Sequence, residues 1–234
     1  MSQRAQELEM EIYSEPTDGR RQEARRLASE MRRVIERLVL VDAPEEDLHA
    51  AADAAAAFAD RLKGLQSRRW YEGFAEAANA GSPSAFFDHS PIIGLANPLA
   101  PPIRMEVTAD DDGERSVIGR VNFGAAYEGP PSCVHGGFVA AAFDEVLGFA
   151  QTLTGKMGMT GTLTIKYRNP TPLFADLVFT GRVRRIDGRK IFTVGECRHD
   201  DTLTAEAEAT FISVDFEKFA KLMAERDGGP PASG

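Results

Sequence analysis

The sequence contains few of the residues that build covalent or metal-based frameworks. Its 234 residues include two cysteines, Cys133 and Cys197, and four histidines. Because two cysteines make no disulfide framework, we expect reduced thiols and a cytoplasmic location. A zinc site needs three or four ligands at suitable spacing, which these scattered histidines do not offer. We therefore expect neither a metal nor a resident cofactor.

Long apolar runs and an excess of basic residues are also absent. The N-terminus, MSQRAQELEMEI, has neither the basic start nor the apolar core of a secretory signal. The alanine-rich run at 50–59 is short and is interrupted by Asp53, so we expect no membrane span. The formal net charge of −9 makes the molecule repel nucleic acid, and an anionic substrate would need a local basic patch.

Two helices are predicted before the first strand. Residues 20–41 repeat apolar side chains every three to four positions, and Pro44 in the first turn begins a second helix that ends near Leu65. We interpret the arginines of the first helix as a solvated face. Residues 1–80 are assigned to a helical extension, and the Gly/Pro-rich residues 81–102 to a connecting loop.

From Ile103 onward the apolar period changes to two, which is typical of strands. One long helix at 135–153 follows two strand-like runs and precedes four more. We expect the turns Asp187-Gly188 and Asp200-Asp201 to join hairpins. This order predicts an α+β domain at residues 103–215, with an antiparallel sheet around one helix, and then a short helix and disordered tail at 216–234. The predicted strands are 103–108, 117–123, 160–169, 177–186, 190–199 and 203–214.

The long helix carries an unusual pair of acids. Within FVAAAFDEVLGFA at 138–150, only Asp144 and Glu145 are charged. A helix that is apolar nearly all round is a buried one, and a buried carboxylate must find a partner or raise its pKa. Asp144 is therefore either a catalytic acid or base, or the partner of Lys166 or Arg168 in an ion pair. For Glu145, about 100° further round the helix, we expect a salt bridge at the helix edge.

The residues at the start of this helix favour a binding site for negative charge. Paired glycines, Gly136 and Gly137, would let a ligand approach free backbone N–H groups, or they would merely permit a tight loop. Asp144 lies eight positions after Gly136, about 12 Å along a helix, so one acyl carbonyl cannot sit on both groups of the same helix. A symmetric dimer could bring Asp144 of one protomer beside Gly136 of the other.

The motif HGG-x6-DE-x2-G, from His135 to Gly148, resembles that of PaaI-type hotdog thioesterases. The segments GPPSCVHGG at 129–137 and TLTIKYRNPTPL at 162–173 resemble the THEM-type branch. The resemblance covers residues 100–214. It implies a hotdog fold, a homodimer that is often a tetramer, and hydrolysis of acyl-CoA thioesters in fatty acid metabolism. Coenzyme A would then be part of the substrate.

The resemblance also implies roles for individual residues. Asp144 matches the catalytic carboxylate, as general base or nucleophile, and the Gly136 N–H matches the donor that polarises the carbonyl. His135 matches the histidine that shapes the helix start. Thr160 matches a hydroxyl near the carboxylate, and Thr162 is an alternative for that hydroxyl. Where some members carry an asparagine six residues before the histidine, this chain has Gly129.

Several further residues are candidates for contact with the substrate. If the period of two holds, Lys166 and Arg168 lie on the same strand face as Thr160 and could reach the CoA phosphates, or they are ordinary solvent-facing charges. Phe138, with the helix's other phenylalanines, lines an acyl tunnel or packs in the core. The candidate substrate contacts are Gly137, Phe138, Thr162, Lys166 and Arg168.

Other classes of function fit the sequence less well. Cys133 as a nucleophile would need His135 beside it, and neighbours two apart on a loop seldom face each other. A hotdog dehydratase would carry its catalytic histidine in other surroundings. A non-catalytic acyl-CoA sensor could use the helices at 20–65 to act on a partner, but a pure binder gains nothing from Asp144. The acyl chain cannot be read from the sequence.

Overall fold

A computed structural model describes residues 19–65, 87–156 and 158–213. The predicted C-terminal helix and tail, at 216–234, lie outside the described residues, as does the start of the predicted extension. The domain boundaries assigned from the sequence stay a prediction.

The two predicted N-terminal helices are present as α1, Gly19–Leu40, and α2, Glu45–Lys63. Pro44 is the residue that caps α2 and does not lie within its first turn, because its carbonyl accepts the N–H groups of Asp47 and Leu48 at 3.1 Å each. Helix α2 has no buried residue, and Ala28 is the buried residue of α1.

The prediction of a solvated arginine face on α1 is wrong for three arginines. Arg21 and Arg25 bind the carboxylate of Asp88 at 2.7 and 2.8 Å, and Arg32 donates to two backbone carbonyls in the segment 87–97. Asp88 is only 4% exposed. A buried carboxylate and buried carbonyls both require donors, and the arginines supply them. Helix α1 is thereby attached to the connecting loop.

The predicted α+β arrangement is confirmed: six antiparallel strands form one sheet, and helix α3, Gly136–Thr152, packs on it. The strand order is β1-β2-β4-β5-β6-β3, so β1 and β3 are the edges. The strands are β1 Arg104–Ala109, β2 Arg115–Asn122, β3 Gly158–Tyr167, β4 Asp176–Asp187, β5 Lys190–His199 and β6 Thr202–Ser213.

Both predicted hairpin turns are present. Asp187 pairs with Lys190 across the β4–β5 turn, and Gly188 has a φ of +57°, in the left-handed region that suits glycine. His199 pairs with Thr202 across the β5–β6 turn. These two-residue connections place β4, β5 and β6 side by side in the centre of the sheet.

Helix α3 lies across strands β2 to β6, and its apolar face forms the core of the domain. Phe143 is fully buried, with its ring edge-on to Phe179 at 5.0 Å. Val146 fits where two strands lack side chains: a Cβ on Gly119 or Gly181 would lie 2.7 or 3.0 Å from its methyl groups. These glycines allow the helix to approach the sheet closely, as in the predicted hotdog fold.

Candidate active site

Helix α3 presents three different faces, and Asp144 lies on the most open one. One face packs on the sheet, and a second, with Glu145 and Phe149, packs on the segment 87–97. The third face repeats small residues every three to four positions around the half-buried Asp144, so it leaves space beside the carboxylate. Its members are Gly137, Ala140, Ala141, Asp144 and Gly148.

Asp144 accepts a hydrogen bond from the hydroxyl of Thr160, with 2.8 Å between Thr160 Oγ1 and Asp144 Oδ1. Among the ion pairs of residues 19–65, 87–156 and 158–213, none includes Asp144, whereas Arg168 binds Glu206 at 2.6 Å. The structure therefore contradicts the alternative in which Asp144 is the partner of Lys166 or Arg168. The carboxylate is held by a neutral donor.

A β-bulge at Gly161 changes which residues of β3 face the helix. Thr160 lies opposite the buried Phe211, but Thr162 lies opposite Thr210 rather than Ala209. Because one residue is inserted, Thr160 faces α3 and Thr162 faces the outer side of the sheet. The prediction that the two threonines share a face is wrong, and Thr162 is not beside this protomer's Asp144.

The same bulge separates Lys166 and Arg168 from Thr160. Both line a depression of about 350 Å³ on the outer face of the sheet, together with Glu206 and Glu208. The prediction that they share a strand face with Thr160 is therefore wrong, because a single inserted residue reverses the alternation. Their contact with a substrate stays a prediction.

His135 and the glycines after it form the start of α3. The imidazole Nδ1 of His135 accepts the N–H of Gly137 at 3.0 Å and so caps the helix. The N–H of Gly136 has no acceptor among the described residues. The free donor at this helix start is therefore Gly136, while the donor of Gly137 is occupied.

Tyr167 connects this helix start to β3 and was missed in the sequence. Its hydroxyl donates to the carbonyl of Gly136 at 2.7 Å, and a Cβ on Gly136 would lie 3.1 Å from that hydroxyl. The bulge at Gly161 is what puts Thr160 and Tyr167, seven residues apart, on the same face of β3. The signal in the sequence that pointed to this contact was an aromatic residue near the end of an edge strand.

The departure at Gly129 has a steric reason. A Cβ there would lie 2.7 Å from the Cα of His135, closer than side chains approach backbone in folded proteins. The backbone N–H of Gly129 donates to Cys133 in the same tight loop. This loop therefore leaves no room for the asparagine that some relatives carry.

The prediction of a salt bridge for Glu145 is wrong. Its Oε1 accepts the hydroxyl of Ser90 at 2.9 Å, and it takes part in none of the ion pairs found in the described part of the chain. Burial raises the pKa of Glu145; the Ser90 hydrogen bond opposes this rise, and the charge of Asp144 adds to it. Both acids of the pair are half-buried.

Of the three phenylalanines of α3, two lie in the core and one lies beside the start of the helix. Phe143 and Phe149 are buried in the core, which is the alternative to an acyl tunnel for these two rings. Phe138 is half-buried and packs edge-on against Tyr127 at 4.9 Å. Tyr127 in turn accepts the backbone N–H of His135 at 2.9 Å through its carbonyl. Phe138 therefore lies beside the helix start.

Within the ranges that the structure describes, no group of three or more His, Cys, Asp or Glu side chains is arranged to hold a metal ion. Of the helices described, none has both the length and the apolar character needed to cross a bilayer.

Burial raises the pKa of the Cys197 thiol to about 11, which makes it a poor nucleophile.

Comparison with known proteins connects this geometry to a family. The family model of the thioesterase superfamily matches residues 132–206, from the loop before α3 into β6. A solved structure of a thioesterase superfamily protein is 33% identical, covers 85% of this chain and 97% of its own, and superposes with a TM-score of 0.67. The chain belongs to the thioesterase superfamily. Its resemblance to hotdog thioesterases is confirmed.

Curated relatives in the thioesterase superfamily are acyl-coenzyme A thioesterases. The protein THEM4 of Xenopus laevis is 38% identical over 103 residues, which are 43% of this chain and 46% of that protein. THEM4 of Mus musculus is 35% identical over 107 residues, or 45% and 46% of the two chains. The chain spans about half the length of the curated relatives it matches.

Proposed function

We propose that this protein hydrolyses acyl-CoA thioesters to a free acid and CoA, with Asp144 as the catalytic carboxylate. The observation that carries the proposal is the Thr160 hydrogen bond to Asp144 on the open, small-residue face of α3. Membership of the thioesterase superfamily and the acyl-coenzyme A thioesterases among its relatives support it.

The proposed active site is shared between two copies of the chain. Strand β3 is ten residues long, lies at a sheet edge and exposes Met159 and Tyr167 by 51% and 55%. A long edge strand presents unpaired backbone N–H and C=O groups along its length and so invites pairing with another chain. Antiparallel pairing of two β3 strands would cover both edges and create a two-fold axis.

The register of this pairing follows from the two ends of β3. Thr160, near the start, holds Asp144, and Tyr167, at the end, holds Gly136. In an antiparallel pair with Thr164 opposite its own copy, the bulge at Gly161 brings Thr160 of one protomer opposite Tyr167 of its partner. Asp144 would then lie near the partner's Gly136, which the separation of about 12 Å along one helix does not allow within a single chain.

The proposed chemistry needs only these groups. Thr160 donates to Oδ1, which leaves Oδ2 of Asp144 free to take a proton from water. The water oxygen then bonds to the thioester carbon, and the partner's Gly136 N–H stabilises the oxyanion. When the C–S bond breaks, the CoA thiolate takes the proton back from Asp144. Alternatively, Asp144 attacks the carbon itself and water hydrolyses the resulting anhydride.

Asp144→Asn tests the proposal, since the amide is nearly isosteric but a poor base and nucleophile. We expect thiol release from a panel of acyl-CoAs to fall by about 10²–10⁴-fold with unchanged folding. Asp111→Asn, in the exposed β1–β2 turn, is the matched control and should keep full turnover. Unchanged turnover in Asp144→Asn would refute the assignment. A wild-type protein that binds acyl-CoA without releasing thiol would instead be a sensor.

A further inference from the structure

Glu145 is a buried acid that the proposed chemistry does not use. Its carboxylate faces the segment 87–97 and accepts the hydroxyl of Ser90. The Ser90 Oγ also accepts the backbone N–H groups of Ile92 and Ile93, at 3.2 Å each. Because both lone pairs of the hydroxyl are occupied, Ser90 can only donate to position 145. The side chain at position 145 must therefore be an acceptor.

Three further contacts keep the segment 87–97 in place. Phe87 lies against Phe149 of α3, with 6.4 Å between the ring centroids. Ile93 is buried in the core with 3% exposure. Asp88, at the other side of the segment, binds Arg21 and Arg25 of α1. The segment thus joins helix α1 to the face of α3 that carries Glu145 and Phe149.

We propose that Glu145 is a positioning residue, which through Ser90 and the segment 87–97 fixes the turn of α3 that carries Asp144. This inference rests on the proposed function. On the sheet side, the helix is located by Val146 between two strand glycines. On the neighbouring face, Glu145 and Phe149 contact the segment 87–97, and these contacts oppose rotation or shift of the helix.

Asp144 is sensitive to such a shift because its carboxylate lies on the open face, with Thr160 as its hydrogen-bond donor. A rotation of α3 that releases Glu145 also moves the adjacent Asp144 relative to Thr160. A displacement of about 1 Å in a reacting group can cost about a hundredfold in rate. Burial raises the pKa of Glu145. Glutamine keeps a carbonyl oxygen at this position and can accept the Ser90 hydroxyl in the same way.

The test compares three variants, Glu145→Ala, Glu145→Gln and Ser90→Ala, below their unfolding temperatures. We expect Glu145→Ala and Ser90→Ala each to lower kcat about tenfold, with KM within about twofold, because the shift acts on the reacting group and not on binding. Glu145→Gln, which keeps the acceptor, should restore most of kcat. Each rate is divided by the concentration of folded protomer, and circular dichroism gives the folded fraction.

A second comparison separates positioning from general destabilisation. In an Asp144→Asn background, adding Glu145→Ala should change the residual rate by less than about twofold, because the group it positions is already gone. An equal loss in both backgrounds would overturn the proposal, as would a Glu145→Gln variant as slow as Glu145→Ala. If Glu145→Ala does not fold, Ser90→Ala replaces it in both comparisons. Failure of the proposed function is distinct, because Asp144→Asn alone would then keep full turnover.

Discussion

Replacing Gly136 with proline removes one N–H from the proposed active site and leaves α3 able to form. Gly136 is the first residue of the helix, a position that tolerates proline because its N–H has no intrahelical partner. His135, the preceding residue, has φ −59° and ψ 130°, the extended conformation that a following proline requires. The backbone is therefore already suited to the substitution.

The size of the effect follows from the role of that N–H. Loss of one oxyanion donor costs about 2.7–4 kcal/mol, or about 10²–10³-fold in kcat. Ground-state binding of the acyl-CoA should change much less, since the charge on the carbonyl oxygen develops only during the reaction. We expect kcat to fall and KM to stay within about threefold.

Gly136→Ala is the matched control, because its Cβ meets the Tyr167 hydroxyl at the same 3.1 Å while the N–H is kept. Steady-state thiol release by both variants, with folding checked by circular dichroism, measures the effect of the N–H alone. Equal kcat values for the proline and alanine variants would refute the oxyanion role of Gly136. A loss confined to KM would show that this residue only positions the substrate.

Three more substitutions test other parts of the structure. Asp88→Ala removes the buried carboxylate that Arg21 and Arg25 share, and it should lower the free energy of unfolding, measured in urea, by about 3 kcal/mol. The control is Glu30→Ala, at an exposed ion pair, which should change this free energy very little. Thr164→Lys places like charges near the proposed two-fold axis. It should therefore shift the sedimentation of the protein toward monomers and lower kcat in parallel. A variant that remains a fully active dimer would contradict the pairing of β3 strands. Because burial raises the pKa of Glu145, the native state keeps a proton that the unfolded chain loses above about pH 4.5, and this residue costs stability as the pH rises through that window. Glu145→Gln should therefore gain unfolding free energy relative to wild type as the pH rises above about 4.5. A difference that does not vary with pH would contradict the burial of that acid.

Local patterns in the sequence predicted the elements well, because periodicity and turn chemistry act over a few residues. The helix at 135–153 and the hairpin turns at Asp187-Gly188 and Asp200-Asp201 are present within a residue or two of their predicted positions. The domain order also followed, since one long apolar helix among six strands has few ways to cover its surface. The motif from His135 to Asp144 then indicated the family.

Contacts between distant residues could not be predicted in the same way. Arg21 and Arg25 looked solvated because Asp88, their partner, lies more than 60 positions away. A salt bridge at the helix edge was expected for Glu145, because no local pattern in the sequence indicates that Ser90 packs against it. In both cases the partner belongs to a Gly/Pro-rich segment whose path depends on how the whole domain packs.

By itself, the sequence determined the secondary structure, the strand order along the chain and the acid in the helix, because each depends on neighbouring residues. Only the tertiary structure decided which residues of β3 face that acid. The bulge at Gly161 arises where β3 pairs with β6, and it brings Thr160 to Asp144 and directs Thr162 and Lys166 to the outer face. An alternation of two along a strand holds only while its pairing is regular, and pairing is a property of two strands at once.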